Sequence, residues 1–187
     1  MKKLFISALL ACFSLNLFAA DYVVDYKGAH ASINFKVEHL GFSWLTGRFN
    51  TFDGTFSYDQ TKPEASSIVV NIDTASVDSN HAERDKHLRD EDFLDVGKYP
   101  SAKFESTSVK DLGDGKLQVT GNLTMLSQTK PITIEVNKIG EGEDPWGGYR
   151  VGFEGTTSFK PAEFGMKHGL AGSELFMELH IEGIKKQ

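Results

Sequence analysis

The sequence predicts an all-β protein: a closed antiparallel β-barrel of about eight strands, with one short helix inserted near residues 80–95. Three observations carry this. Most of the chain alternates apolar and polar residues with a period of two, and short turns rich in Gly, Asp or Pro separate the alternating segments. One polar stretch, residues 80–104, breaks the pattern. Alternation gives every strand one apolar face, so the strands must share a core, as a sandwich or a barrel. Strands of about ten residues favour the barrel, because closure removes exposed edges.

The chain opens with Lys2 and Lys3, then an apolar run over residues 4–18, then the small residues Ala19 and Ala20. This is the layout of a secretory signal peptide, too short and wrongly flanked for a membrane span. We assign residues 1–19 to the leader, with cleavage after Ala19 preferred to cleavage after Ala20, and residues 20–187 to a single domain. A lipoprotein box ending at Cys12 is the weaker alternative, since it leaves a mature start that is still apolar. Removing the leader removes Cys12, the only cysteine, so the mature chain has no disulfide. Its stability must come from a core, for which about 168 residues suffice. Net charge is −6, and −8 without Lys2 and Lys3. An acidic chain without a Lys/Arg cluster argues against nucleic acid, and no later run is long and apolar enough for a membrane anchor.

The strands follow in order. Residues 22–26 make a short first strand. Ala31, Ile33, Phe35 and Val37 alternate with polar residues. Phe42-Ser43-Trp44-Leu45, between Gly41 and Gly47, is too apolar for an ordinary turn. From Arg48 to Tyr58 one strand is expected, in which Phe52, Gly54, Phe56 and Tyr58 share one face and Gly54 marks a bend or bulge. Ile68, Val70 and Ile72 form the next strand. Asp78, Ser79 or Asn80 then caps a polar helix over residues 81–89, and a further turn carries Phe93 and Leu94. Gly97 and Pro100 end it. Strands resume at 103–110, and Gly113-Asp114-Gly115 turns the chain into 116–126. Ser127-Gln128-Thr129-Lys130 is a tight turn before Ile132, Ile134 and Val136. Residues 139–148 form a loop, and 149–160 and 174–184 are the last long strands. A barrel of this size either fills its interior or holds one small ligand.

Catalytic motifs are absent. The six histidines include no pair at metal-ligand spacing, and the acidic cluster Asp90, Glu91, Asp92 and Asp95 lacks the spacing of a calcium loop. No metal or cofactor is expected.

Several motifs resemble one family. The run from Ser76-Val77-Asp78-Ser79-Asn80-His81 through Arg84, Asp85, His87, Leu88 and Arg89, followed by Asp92-Phe93-Leu94 and Lys98-Tyr99-Pro100, is similar to the signature of the YceI family. His39-Leu40-Gly41, Gly121-Asn122-Leu123-Thr124, Thr129-Lys130-Pro131, Asp144-Pro145-Trp146-Gly147-Gly148 and Glu163-Phe164-Gly165 match as well. Met166-Lys167-His168-Gly169 does not. The leader resembles that of the periplasmic branch. The resemblance implies a lipocalin-like barrel in the periplasm holding a long-chain isoprenoid or similar amphipathic, quinone-like lipid, without catalysis. It further implies a homodimer for many members, and a link to stress responses for some.

If the barrel is hollow, alternation assigns its wall. Ile33 and Phe35 come first, then Phe52 and Phe56, then Val70 and Phe104. Leu123, Ile134 and Phe153 follow, and Leu175, Met177 and Leu179 come from the last strand. The helical stretch adds Leu88 and Phe93 as apolar contacts and Asn80, Arg84 and His87 as polar groups at the mouth. Two other readings stay open: an isomerase or cyclase using His87 and Asp85 as acid and base, and a filled barrel that only binds partners.

Overall fold

The computed structural model describes residues 19–169 and 171–187. The expected leader lies outside the described residues, apart from Ala19. Among the described residues there are eleven strands: β1 (Ala20–Val24), β2 (Ser32–His39), β3 (Ser43–Phe49), β4 (Phe52–Tyr58), β5 (Ser67–Asp73), β6 (Val77–Asp78), β7 (Ser101–Gly113), β8 (Lys116–Met125), β9 (Gln128–Glu143), β10 (Tyr149–Phe159) and β11 (Leu175–Lys185). The helix α1 covers Ala82–Arg89.

Eight strands close into an antiparallel ring in the order β1-β4-β5-β7-β8-β9-β10-β11, with β1 bonded back to β11. The other three extend from β11. Its first half pairs with β2 and its last residues pair with β1, so two successive strands share one position in the wall. β3 and β6 continue outward from β2, and β6 leads the chain into α1. β2, β3 and β6 are thus additional to the eight strands that close the ring.

Four local readings change. Residues 48–58 are not one strand, since β3 stops at Phe49 and β4 starts at Phe52. The loop expected at 139–148 shrinks, because β9 stays paired with β10 as far as Glu143. The turn after β8 is tighter than expected: Met125 already faces Gln128, and Leu126 takes φ 54°. Gly54 is not a bulge. Its register with β5 is regular, and a Cβ there would lie 2.9 Å from the Val69 carbonyl. The irregularities fall at Gly152/Phe153, at Ser106/Ser108 and at Asp111/Gly113.

The interior shows why aromatic residues do not fill the barrel. Phe35 lies over Gly47 and Phe104 over Gly121, each glycine on the adjacent strand, and Phe56 reaches across β1 to lie over Gly183 on β11. A Cβ at any of these glycines would collide with the ring. The rings therefore lie along the wall instead of projecting to the axis.

Candidate functional site

The ring encloses a cavity of about 490 Å³, within the range of small-molecule sites (~300–1,000 Å³). Ile33, Phe35, Phe56, Val70, Phe104 and Leu123 line it. So do Ile134, Phe153, Leu175, Met177 and Leu179, all inward by the period-two rule. Phe52 does not. It is buried where β1 gives way to β2, 5.3 Å from the Tyr26 ring. Its face is the predicted one, but the split wall at that level puts it in the seam.

One end of the cavity is covered by α1 and the segment after it. Arg84, His87, Leu88 and Phe93 all reach the lining. Asn80 does not. It is exposed, with φ 60°, and its N–H donates to Asp78 Oδ1, so it is a turn residue. The helix is capped by His81, whose Nδ1 accepts from the Arg84 N–H at 3.2 Å, and not by the residues before it. Arg84 donates from Nε to Ser79 Oγ (2.8 Å) and from Nη2 to the Ser79 carbonyl (2.6 Å). The buried Asp85 carboxylate accepts from the Ser79 N–H at 2.7 Å and from its hydroxyl. Arg89 donates to the carbonyls of Ala75 and Val77. Arg84 and Asp85 thus tie the lid to Ser79, just after β6, and Arg89 ties it to β6 and its approach. His87 faces elsewhere: its ring meets Phe93 edge-on at 4.8 Å, and its Nε2 lies 3.5 Å from Asp92. Asp85 and His87 are therefore not brought together as an acid–base pair.

The clamp separates two roles that sequence alone had merged. Arg84→Ala removes two donors from Ser79; if the expected prenyl ligand occupies the cavity, it should weaken headed and headless chains equally, with a stability loss of about 1.5–3 kcal/mol. His87→Ala, with its side chain 58% exposed at the rim, should weaken only a headed chain. Parallel titrations of both ligands check this.

The lid closes against residues the sequence left unplaced. Met166 and Gly169 line the cavity, and Phe93 packs so tightly on Gly169 that a Cβ there would lie 2.6 Å from its ring. Leu40 and Leu45, from the β2–β3 hairpin, complete this rim. At the opposite end Tyr58 meets Phe153 edge-on at 5.1 Å, with Lys138 Nζ 5.5 Å from the centre of its ring. Lys138 pairs with Glu141 at 3.0 Å. Burial, opposed by Lys138, raises the Tyr58 phenol above its ordinary value, keeping it neutral. Beside it the Ser66 hydroxyl lines the cavity, buried and without a hydrogen-bond partner among the described residues.

The seam between β1 and β2 is held by Arg150, which sequence reading missed. It donates to Asp25 Oδ2 (2.6 Å), Asp144 Oδ2 (2.7 Å) and Glu182 Oε1 (2.6 Å). Burial pushes the Asp25 carboxyl up, but hydrogen bonds from Arg150, His30 and Gly28 outweigh it and hold it at about 2. The Asp144 loop is thus fixed by an ion pair as well as by its own turn.

A closed eight-stranded antiparallel ring, hollow and apolar inside and covered at one end by a helix, defines a lipocalin-like barrel. The YceI-like domain model matches residues 22–183. The chain belongs to the YceI family. A UPF0312 protein of Vibrio cholerae is 60% identical over 168 residues, covering 90% of this chain and 89% of the relative. One from Shewanella putrefaciens is 54% identical over 191 residues, covering all of both. Among solved structures, Burkholderia cenocepacia BcnA matches with TM-score 0.76 at 23% identity, covering 85% of this chain and 98% of its own. A polyisoprenoid binding domain from Saccharophagus degradans matches with TM-score 0.64 at 14% identity, covering 90% of this chain and all of its own. These two share the fold.

Proposed function

We propose that the protein is a periplasmic carrier or store that holds a long-chain isoprenoid, or a similar quinone-like amphipathic lipid, inside the barrel and performs no chemistry on it. The supporting observation is the hollow itself: the Phe rings lie against glycines, and the aliphatic side chains between them leave about 490 Å³ empty. Each methylene buried there contributes about 0.8 kcal/mol, so chain length sets affinity. Polar groups at the cavity ends then choose among lipids. Periplasmic location is proposed from the leader, and the polyisoprenoid ligand of the Saccharophagus degradans domain supports the ligand class.

Two experiments test this. Delipidated protein should take up a fluorescent prenyl probe and release it to an unlabelled chain, with affinity rising with chain length; no uptake at any length would sink the proposal. Phe104→Trp should weaken uptake more than it weakens folding, because the larger ring displaces ligand from an open space. In a filled core the same change would strain packing by about 1–3 kcal/mol and lower thermal stability instead.

A further inference from the structure

The tip of the β2–β3 hairpin carries apolar surface that the fold does not use. Leu40 is 70% exposed, Phe42 87%, Trp44 50% and the neighbouring Phe176 37%. Trp44 and Phe176 meet edge-on at 5.6 Å, so the patch is packed, not scattered. The backbone adds to the oddity. Leu40 sits at φ 55° and Gly41 at φ 78°. The left-handed region suits Gly or Asn, and a bulky residue there costs on the order of 1 kcal/mol. An exposed leucine held in that conformation is unfavourable for both backbone and hydration, which points to a role away from the folded core.

Two features say what covers the patch. It adjoins the cavity mouth, because Leu40 and Leu45 line the rim there together with His39. And Lys36 stands at its base, with Nζ 5.0 Å from the centre of the Trp44 ring and 5.9 Å from that of Phe176. Aromatic rings with a lysine reaching past them suit the boundary layer of a bilayer, where rings lie among head groups and the ammonium meets phosphate. A two-fold contact with a second copy would instead bring two Lys36 side chains to one apolar face. The chain's net charge of −6 disfavours anionic surfaces.

We propose that the hairpin tip inserts Leu40, Phe42 and Trp44 into the interface of a zwitterionic phospholipid bilayer, setting the cavity mouth on the membrane so that a lipid chain passes between the two without crossing water. The direction of transfer rests on the carrier reading; the docking itself does not. Attachment is shallow and reversible, since three side chains enter and no helix among the described residues is long and apolar enough to cross a membrane.

The test uses the full mature chain, delipidated, with phosphatidylcholine vesicles whose acyl chains are brominated. A Trp146→Phe background leaves Trp44 as the reporter. Trp44 emission should shift to the blue and be quenched by the brominated chains. Phe42→Ser, which lies outside the cavity lining, should lower vesicle partitioning at least about tenfold, less than the loss of one buried aromatic side chain, while uptake of a soluble prenyl probe is unchanged. Absence of quenching and of co-sedimentation overturns docking, as does a concentration-dependent dimer abolished by Phe42→Ser without vesicle binding. Probe uptake without vesicle binding ends this inference and leaves the carrier reading intact. Vesicle binding without probe uptake does the reverse.

Discussion

Gly155→Phe should abolish most lipid uptake while leaving the barrel folded. Gly155 lines the cavity on β10, and unlike Gly47, Gly121 and Gly183 it has no aromatic ring over it. The nearest atoms a Cβ there would meet are the Ile134 methyl at 3.1 Å, the Val136 methyl at 3.6 Å and the Glu135 carbonyl at 3.7 Å. The methyl ends can shift by a few tenths of an ångström. A phenylalanine ring at this position enters the hollow and displaces ligand. Losing about four buried methylenes costs ~3 kcal/mol, roughly a hundredfold in affinity. The control is Gly121→Ala. Its Cβ would lie 2.6 Å from the Glu105 carbonyl and would strike the Phe104 ring, so backbone must move. That variant should lose about 1–3 kcal/mol of stability. Thermal melts and probe titrations of both variants should therefore give opposite patterns: binding lost with stability kept at Gly155, and stability lost at Gly121.

Arg150→Met should be the most destabilising single change in the wall. It leaves the Asp25 carboxylate, whose side chain is 8% exposed, without its strongest partner, and it releases Glu182 and Asp144 as well. Removing one member of a buried ion pair costs about 3–5 kcal/mol, and the partial exposure of Arg150 puts the expected loss near 3 kcal/mol. The pH dependence identifies the cause. Asp25 titrates at about 2 in the folded protein, below the ordinary carboxylate value of ~3.9. A depressed value means that its contribution is complete above pH ~4 and fades as pH falls towards 2. The stability gap between wild type and Arg150→Met should therefore be widest near neutral pH and narrow below pH ~4. Denaturant melts at several pH values check it, and a gap that stays constant with pH would assign the loss to packing.

The period-two pattern made the wall legible because each strand needs only its own residues to declare a face. Leu175, Met177 and Leu179 line the cavity as alternation required. Alternation does not say where a strand ends or which strands are neighbours, and the errors follow from that. Phe52 has the right parity but stands in the seam where β1 stops. Arg150 and Asp25, 125 residues apart, meet only because β10, β11 and β1 are adjacent in the ring. Asn80 suits a helix cap by residue type, yet the turn geometry uses it at φ 60° and leaves capping to His81. Met166 and Gly169 carried a weak signal: a connection too apolar for solvent, which here lies against Phe93. The Arg84–Ser79–Asp85 clamp was half legible. The helix spacing placed Arg84 on the cavity side, but its partner, Ser79, comes from the short connection between β6 and the helix.

Native mass spectrometry of the protein purified from its host cells, without detergent, tests the central claim most directly. A carrier with this interior should leave the cell loaded, giving a complex whose added mass matches one long-chain lipid and is released on activation. Gly155→Phe should give the bare chain. A bare wild-type mass, together with failure of the delipidated protein to take up a prenyl chain added in excess, would contradict the account.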